Sequence, residues 1–152
     1  MNTGIFLAIV VATFLLMEAV TWLTHKYVMH GFLWYLHADH HQPKYQGVFE
    51  KNDWFFVIFA IPSILLFWFG VKPELNHLFF IGLGILCYGT AYFLIHDVLI
   101  HQRFKWFKKT KSTYLIGLRK AHKMHHKHLG KEHGECFGML YVPFKYFKNK
   151  IQ

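Results

Sequence analysis

Histidine is the residue whose number and placement suggest chemistry. Thirteen occur in 152 residues, against eight Asp and Glu combined. Ten of them form two copies of one pattern. The first copy is a pair five residues apart, His25 and His30, followed by the triplet His37, His40 and His41. The second is His96 and His101, followed by His122, His125 and His126. A triplet at i, i+3 and i+4 gathers three imidazoles on one helical face. A pair five apart does not: on a regular helix the two side chains point about 140° apart. One member of each pair must therefore sit where the helix ends or is distorted, and Gly31 after His30 fits that need. Imidazole is a ligand for transition metals. Structural zinc takes four ligands, commonly with thiolates, so ten nitrogens without a thiolate point instead to two redox ions. Iron is preferred, with copper and manganese left open. Two ions with about six positions each would leave about two sites free for oxygen. His77, His128 and His133 fall outside the pattern and are expected at the surface or in outer positions.

The chain that must position these residues is apolar and basic together. Hydrophobic residues make up 54% and charged residues only 16%, below the roughly 25% of a soluble domain, yet the net charge is +9. Apolar spans in a bilayer with basic segments at anionic headgroups reconcile the two. Three runs are long enough: Gly4 to Thr24, Trp54 to Gly70 and Leu78 to Ile95. The first lacks the basic n-region and cleavage site of a signal peptide and is expected to be retained. A single all-α, membrane-embedded helical bundle over residues 1–152 follows, with about three spans and cytoplasmic helices carrying a histidine-rich di-metal site.

Charge sets the orientation. Of 17 Lys and Arg, only Lys72 lies between the second and third runs, three (Lys26, Lys44 and Lys51) lie between the first and second, and 13 follow the third. The positive-inside rule then places the N-terminus outside and the histidine clusters and C-terminus in the cytoplasm, in an inner (cytoplasmic) membrane. Leu33, Leu36, His37, His40 and His41 share one face of a helix stopped by Pro43. Ser112 is the expected N-cap of a helix ending near Gly130, on which Leu115, Leu118, His122, His125 and Leu129 form an inward stripe. Cys87 and Cys136 are too few for a disulfide framework, and no bridge is expected.

Ligating imidazoles donate their second N–H to a carboxylate or carbonyl. Asp39, Asp97 and Glu135 are the candidate acceptors. Glu18, the one charge inside a span, lies seven residues before His25 and so on its face of a regular helix, where a buried pairing is expected. Asn52 and Asp53 read as caps of the second span. Trp22, Tyr27, Phe55, Tyr92 and Phe93 are placed to pack or to line a pocket. Gly82, Gly84 and Gly89 are placed for close helix approach, or for a groove.

The segment His37-Ala-Asp-His40-His41-Gln-Pro-Lys, with the later Gly-Val-Phe-Glu-Lys-Asn52-Asp53, resembles the membrane fatty acid hydroxylase/sterol desaturase superfamily, in its carotenoid hydroxylase branch. So does His96-Asp97-Val-Leu-Ile-His101-Gln102-Arg103-Phe. One departure is Lys105, where the family often has proline. The likeness runs from about Glu18 to Phe147. It implies a non-haem di-iron monooxygenase using molecular oxygen and electrons from a ferredoxin-type donor. The implied substrates are beta-carotene and related carotenoids, hydroxylated at carbon 3 of each beta-ionone ring. Rival readings are a carotenoid ketolase, a lipid hydroxylase, a histidine-rich metal transporter, and an adaptor binding acidic partners. Membrane lipid is an expected partner and nucleic acid is not.

Overall fold

The computed structural model describes residues 3–42, 49–104, 106 and 109–147. The sequence features at Pro43, Lys44 and Lys105 lie outside them. Every regular element among the described residues is helical. Helix α1 (Thr3–Leu23) runs directly into a π-helical segment, Thr24–Phe32, broken at Gly31, and α2 (Trp34–His41) follows. A 3-10 turn, Lys51–Asp53, leads into α3 (Trp54–Gly70). Helix α4 (His77–Phe93) runs into a second π-helical segment, Leu94–Ile100. Helix α5 (Thr113–His125) and a 3-10 turn, Phe144–Tyr146, complete the order.

The three expected spans are present and longer than the apolar runs alone. Thr3–Phe32, Lys51–Gly70 and His77–Ile100 are each long and apolar enough to cross a membrane, and no more than 17% of the most apolar window of each is buried within the protein. Their apolar surface faces outward, as lipid-facing helices require, and the chain is a membrane protein. A ~30 Å hydrocarbon core takes about 20 helical residues. Counting from Thr3 and from His77, the core ends just before His25 and near His96, so both histidine pairs stand where their spans emerge.

Helix α4 packs against both α1 and α3. Small residues allow it. A Cβ at Gly84 would stand 2.6 Å from the Thr13 Cβ on α1, and one at Gly82 would stand 3.1 Å from the Ser63 carbonyl on α3. The Ser63 hydroxyl also donates to the Gly82 carbonyl at 2.9 Å.

Beyond the spans, Leu118 and Ala121 of α5 pack with Val142, Ile95 and Phe147. Ser112 caps α5 as expected, its hydroxyl accepting from the Leu115 amide at 3.4 Å. The helix ends at His125, five residues before Gly130. After His125 the chain tightens into turns with Lys127 donating to Met124 and His128 to His125, and the His128 carbonyl is thereby turned toward His41. Leu129 is consequently exposed rather than part of the stripe. Cys87 and Cys136 are both free thiols.

Candidate metal centre

The distortion that the five-residue spacing demands is the same in both halves. His25 and His30 lie in one π segment, and His96 lies in the other with His101 at its end. A π turn bonds each residue to the fifth before it, which brings residues five apart back to one side. The His101 amide accordingly donates to the His96 carbonyl at 2.9 Å. Rings of the two pairs lie close, with centroids 5.2 Å apart for His25 and His30 and 4.5 Å for His96 and His101.

All ten histidines come together at one end of the spans, beside α2 and α5, in two adjacent groups. His25, His30, His37, His41 and His125 form one, with ligand atoms all within 4.8 Å of one another. His40, His101, His122 and His126 form the other within the same limit, and the His96 Nε2 joins it 3.0 Å from the His40 Nε2. The rings of His41 and His126 stack at 4.4 Å where the groups meet. Each group thus holds four histidines of one half and one of the other. The residue that crosses is the middle member of each triplet, His40 or His125. A triplet is therefore divided between two positions rather than aimed at one.

Seven of the ten rings have their Nδ1–H on an acceptor. His25, His30, His41 and His125 donate to the carbonyls of Phe137, Lys131, His128 and Glu135, at 2.8 to 3.0 Å. His37 donates to the Asn52 side-chain oxygen at 2.7 Å, His40 to Glu50 at 2.8 Å and His96 to Asp97 at 3.2 Å. With the proton on Nδ1, each Nε2 carries a lone pair. These lone pairs face one another: Nε2 atoms of His25 and His37 are 3.2 Å apart, and those of His30 and His125 are 3.3 Å apart. Two acceptors cannot hydrogen-bond to each other, and the buried His41 Nε2 has no hydrogen-bond partner among the described residues. A cation between the facing lone pairs resolves both, so the donor set fits a metal in each group. Burial also keeps the imidazoles of His41, His125 and His101 neutral. It pushes His41 down to about 4, His125 to about 3 and His101 to about 2, with neighbouring histidines adding to the shift.

The expected carboxylates divide. Asp97 faces His96 and is held by Arg103 at 2.6 Å. Asp39 instead accepts the Lys51 amide at 2.7 Å. Glu135 serves through its carbonyl, while its carboxylate pairs with Lys145 and Tyr146. Glu18 does not pair with His25. It accepts the amides of Met139, Leu140 and Tyr141 and the Tyr88 hydroxyl. Asn52 and Glu50 were the side-chain acceptors not legible in the sequence. Asn52 has the form of a cap residue, and its side chain is spent on His37 instead; Glu50 closes a capping box with Asp53 and also reaches His40. His77 and His133 are exposed, and His128 contributes only its carbonyl.

An apolar cavity of about 500 Å³ opens between α3, α4 and the end of α1. Its near end, at Met29, Asn52, Phe55 and Tyr92, touches the histidines: the Tyr92 ring is 4.9 Å from His96 and the Phe55 ring 6.4 Å from His37. Toward Phe67 it follows α3 for about 18 Å, twelve residues at the helical rise. Thr21, Ser63 and Thr90 on its wall turn their hydroxyls to backbone carbonyls, which leaves the lining apolar. Phe93 and Gly89 also line it. A Cβ at Gly89 would meet nothing within 4 Å, so this glycine keeps the bore open, unlike Gly82 and Gly84. Trp22 and Tyr27 lie outside the cavity, edge to face at 6.2 Å under Lys26.

A family model described as fatty acid hydroxylase matches residues 10–145. The chain belongs to the fatty acid hydroxylase family. Among its relatives, a beta-carotene hydroxylase of Pantoea ananas is 44% identical over 135 residues, covering 89% of this chain and 76% of that protein. One from Paracoccus sp. (strain PC1) is 39% identical over 138 residues, covering 89% and 83%. A chloroplastic beta-carotene 3-hydroxylase of Gentiana lutea is 37% identical over 122 residues, covering 78% of this chain and 37% of its own longer one. No solved structure matches significantly. The family match spans both histidine groups, the cavity, the second and third membrane helices, and the first from residue 10 onward.

Proposed function

We propose that the chain is a membrane-bound monooxygenase that hydroxylates carbon 3 of the beta-ionone rings of beta-carotene, giving beta-cryptoxanthin and then zeaxanthin. The observation that carries this reading is the junction of the apolar cavity with the two histidine groups, in a chain whose relatives bear the name beta-carotene hydroxylase. Each group holds one non-haem iron through the imidazoles of its five histidines. Bound iron supplies the activation of molecular oxygen that oxidising an unactivated C–H bond requires, since no amino-acid side chain does this. The protein's own residues do the rest. The hydrogen bonds on Nδ1 of seven rings turn their Nε2 lone pairs inward. Met29, Phe55 and Tyr92 receive the ring against the histidines, and the apolar wall along α3 takes the polyene and excludes water. Electrons arrive from a ferredoxin-type donor. The basic segments after the third span offer it a complementary charge and also bind anionic lipid. A metal transporter would carry ligands at broken helices in mid-membrane, whereas these histidines gather where the spans end.

Pigment analysis of a beta-carotene-producing host expressing the chain tests the reading directly. Zeaxanthin and beta-cryptoxanthin are the expected products. Unchanged beta-carotene at full expression, or keto products alone, would remove it. The cavity makes a narrower prediction. Gly89→Leu puts a branched side chain into the bore and is expected to cut hydroxylation about tenfold or more, the scale of a few lost methylene contacts, with metal content unchanged. Wild-type product ratios from that variant would dissociate the cavity from the substrate.

Orientation is part of the same proposal: the basic segments and the histidine end face the cytoplasm of an inner membrane. In a background without Cys87 and Cys136, an impermeant thiol reagent applied to intact cells is expected to label Lys72→Cys and spare Asn149→Cys. The reverse pattern would invert the topology.

A further inference from the structure

Four of the five histidines in the first group are oriented by backbone carbonyls of one stretch of chain. His128, Lys131, Glu135 and Phe137 accept from His41, His30, His125 and His25. The second group relies on carboxylates from elsewhere, Glu50 for His40 and Asp97 for His96. Residues 126–142 contain no helix, so something else must hold the stretch in place.

What holds it is Glu18, the one carboxylate inside the first span. A single oxygen of Glu18 accepts three consecutive amides, from Met139, Leu140 and Tyr141, each at 2.9 Å. Its other oxygen accepts the Tyr88 hydroxyl at 2.7 Å. Glu18 lies seven residues before His25, about 10 Å along the helix toward the membrane interior. Non-helical backbone at such depth is tolerated only where its polar groups find partners in the protein, and charge-assisted bonds to a carboxylate are the strong kind. Met139, the first of the pinned residues, and Val142, just after the last, are both buried. Gly138 opens the turn, and a Cβ there would stand 2.5 Å from the Tyr141 carbonyl oxygen and 3.1 Å from the Glu18 carboxylate. Phe137, whose carbonyl holds His25, immediately precedes it.

We propose that Glu18 is a positioning residue: it pins the re-entrant turn 138–141 and, through it, the carbonyls that orient the first histidine group, so that releasing the turn empties that group and spares the other. The inference rests on the reading that each group holds one metal ion, and its test separates the two. Glu18→Ala and Gly138→Ala proteins, purified from iron-replete cells, are assayed for metal content and for hydrogen exchange of the 139–141 amides. Both variants are expected to lose protection of these amides, and iron is expected to fall from about two per chain to about one, as loss of outer-shell support weakens metal affinity. Glu18→Gln keeps an acceptor oxygen and is expected to fall between Glu18→Ala and wild type in both measurements. Gly138→Ala disturbs the turn without changing the sequence of the first span, so it decides the matter if Glu18→Ala fails to insert. Amides that stay protected in Glu18→Ala would overturn the pin. Fast-exchanging amides with both metals retained, or with both lost, would overturn the link to one group. A wild-type protein without metal would instead defeat the functional reading, while exchange at 139–141 would still report on Glu18.

Discussion

His125→Ala is expected to abolish hydroxylation, although His125 belongs by sequence to the second half and serves the first. Its Nε2 is 3.3 Å from that of His30, and its ring lies 4.5 Å from His25 and 4.7 Å from His41. It is the one imidazole that α5 lends to this group, while His122 on the same helix and His126 just after it stay with the other. Removing it takes away one of five donors and the bond through which the Glu135 carbonyl fixes α5 against the C-terminal stretch. Loss of an outer partner alone costs about 10–100-fold, and loss of a donor is expected to exceed that. His40→Ala should behave alike, because it makes the reciprocal crossing. His77→Ala should keep most of the activity, since its exposed side chain opens the turn end of α4, a membrane thickness from the groups. The readout is the ratio of hydroxylated to unmodified carotenoid at matched expression. A normal ratio from His125→Ala would break the two-group arrangement.

The second large effect is on stability. Arg103 reaches Asp97 at 2.6 Å and grips Asp53 with both terminal nitrogens, at 2.8 and 2.9 Å. Asp53 precedes α3, and Asp97 lies in the π segment that ends the third span. One guanidinium therefore ties two spans together beside the histidines. The Asp97 carboxylate is 2% exposed, and Arg103 is paired with it. Breaking a buried pair by removing one partner costs about 3–5 kcal/mol, because the other charge is left uncompensated. Arg103→Ala should therefore lower the thermal midpoint of the detergent-purified protein by roughly 10 °C. Arg103→Lys should recover only part of this, since an ammonium cannot make the fork on Asp53. A wild-type midpoint for Arg103→Ala would show that the clamp carries no stability.

The histidines, the three spans and the need for two helical distortions were legible because each rests on spacing or composition. The distortion's identity was not. A five-residue interval excludes a regular helix but does not choose between an end, a kink and a π turn. The exchange of His40 and His125 between groups depends on how α2 and α5 face each other, which no local spacing encodes. Four of the supporting acceptors are backbone carbonyls, and these leave no trace in residue type. Glu18 shows how a correct local rule can fail. Seven residues return to the same face of a regular helix, but the wide turn beginning at Thr24 breaks that register before His25, and the carboxylate is spent on the C-terminal turn. Asn52 reads as a cap because asparagine before a helix usually is one, but its side chain serves His37 instead. Its burial against His37 depends on α2, fifteen residues earlier.

Metal analysis of the purified, active protein tests the central claim most directly, because two groups of facing imidazole lone pairs have one simple consequence. Protein from iron-replete cells should carry about two irons per chain, and chelation that removes them should abolish hydroxylation until iron is restored. Stoichiometric zinc in place of iron with activity intact, or full activity in a protein with no bound metal, would contradict it.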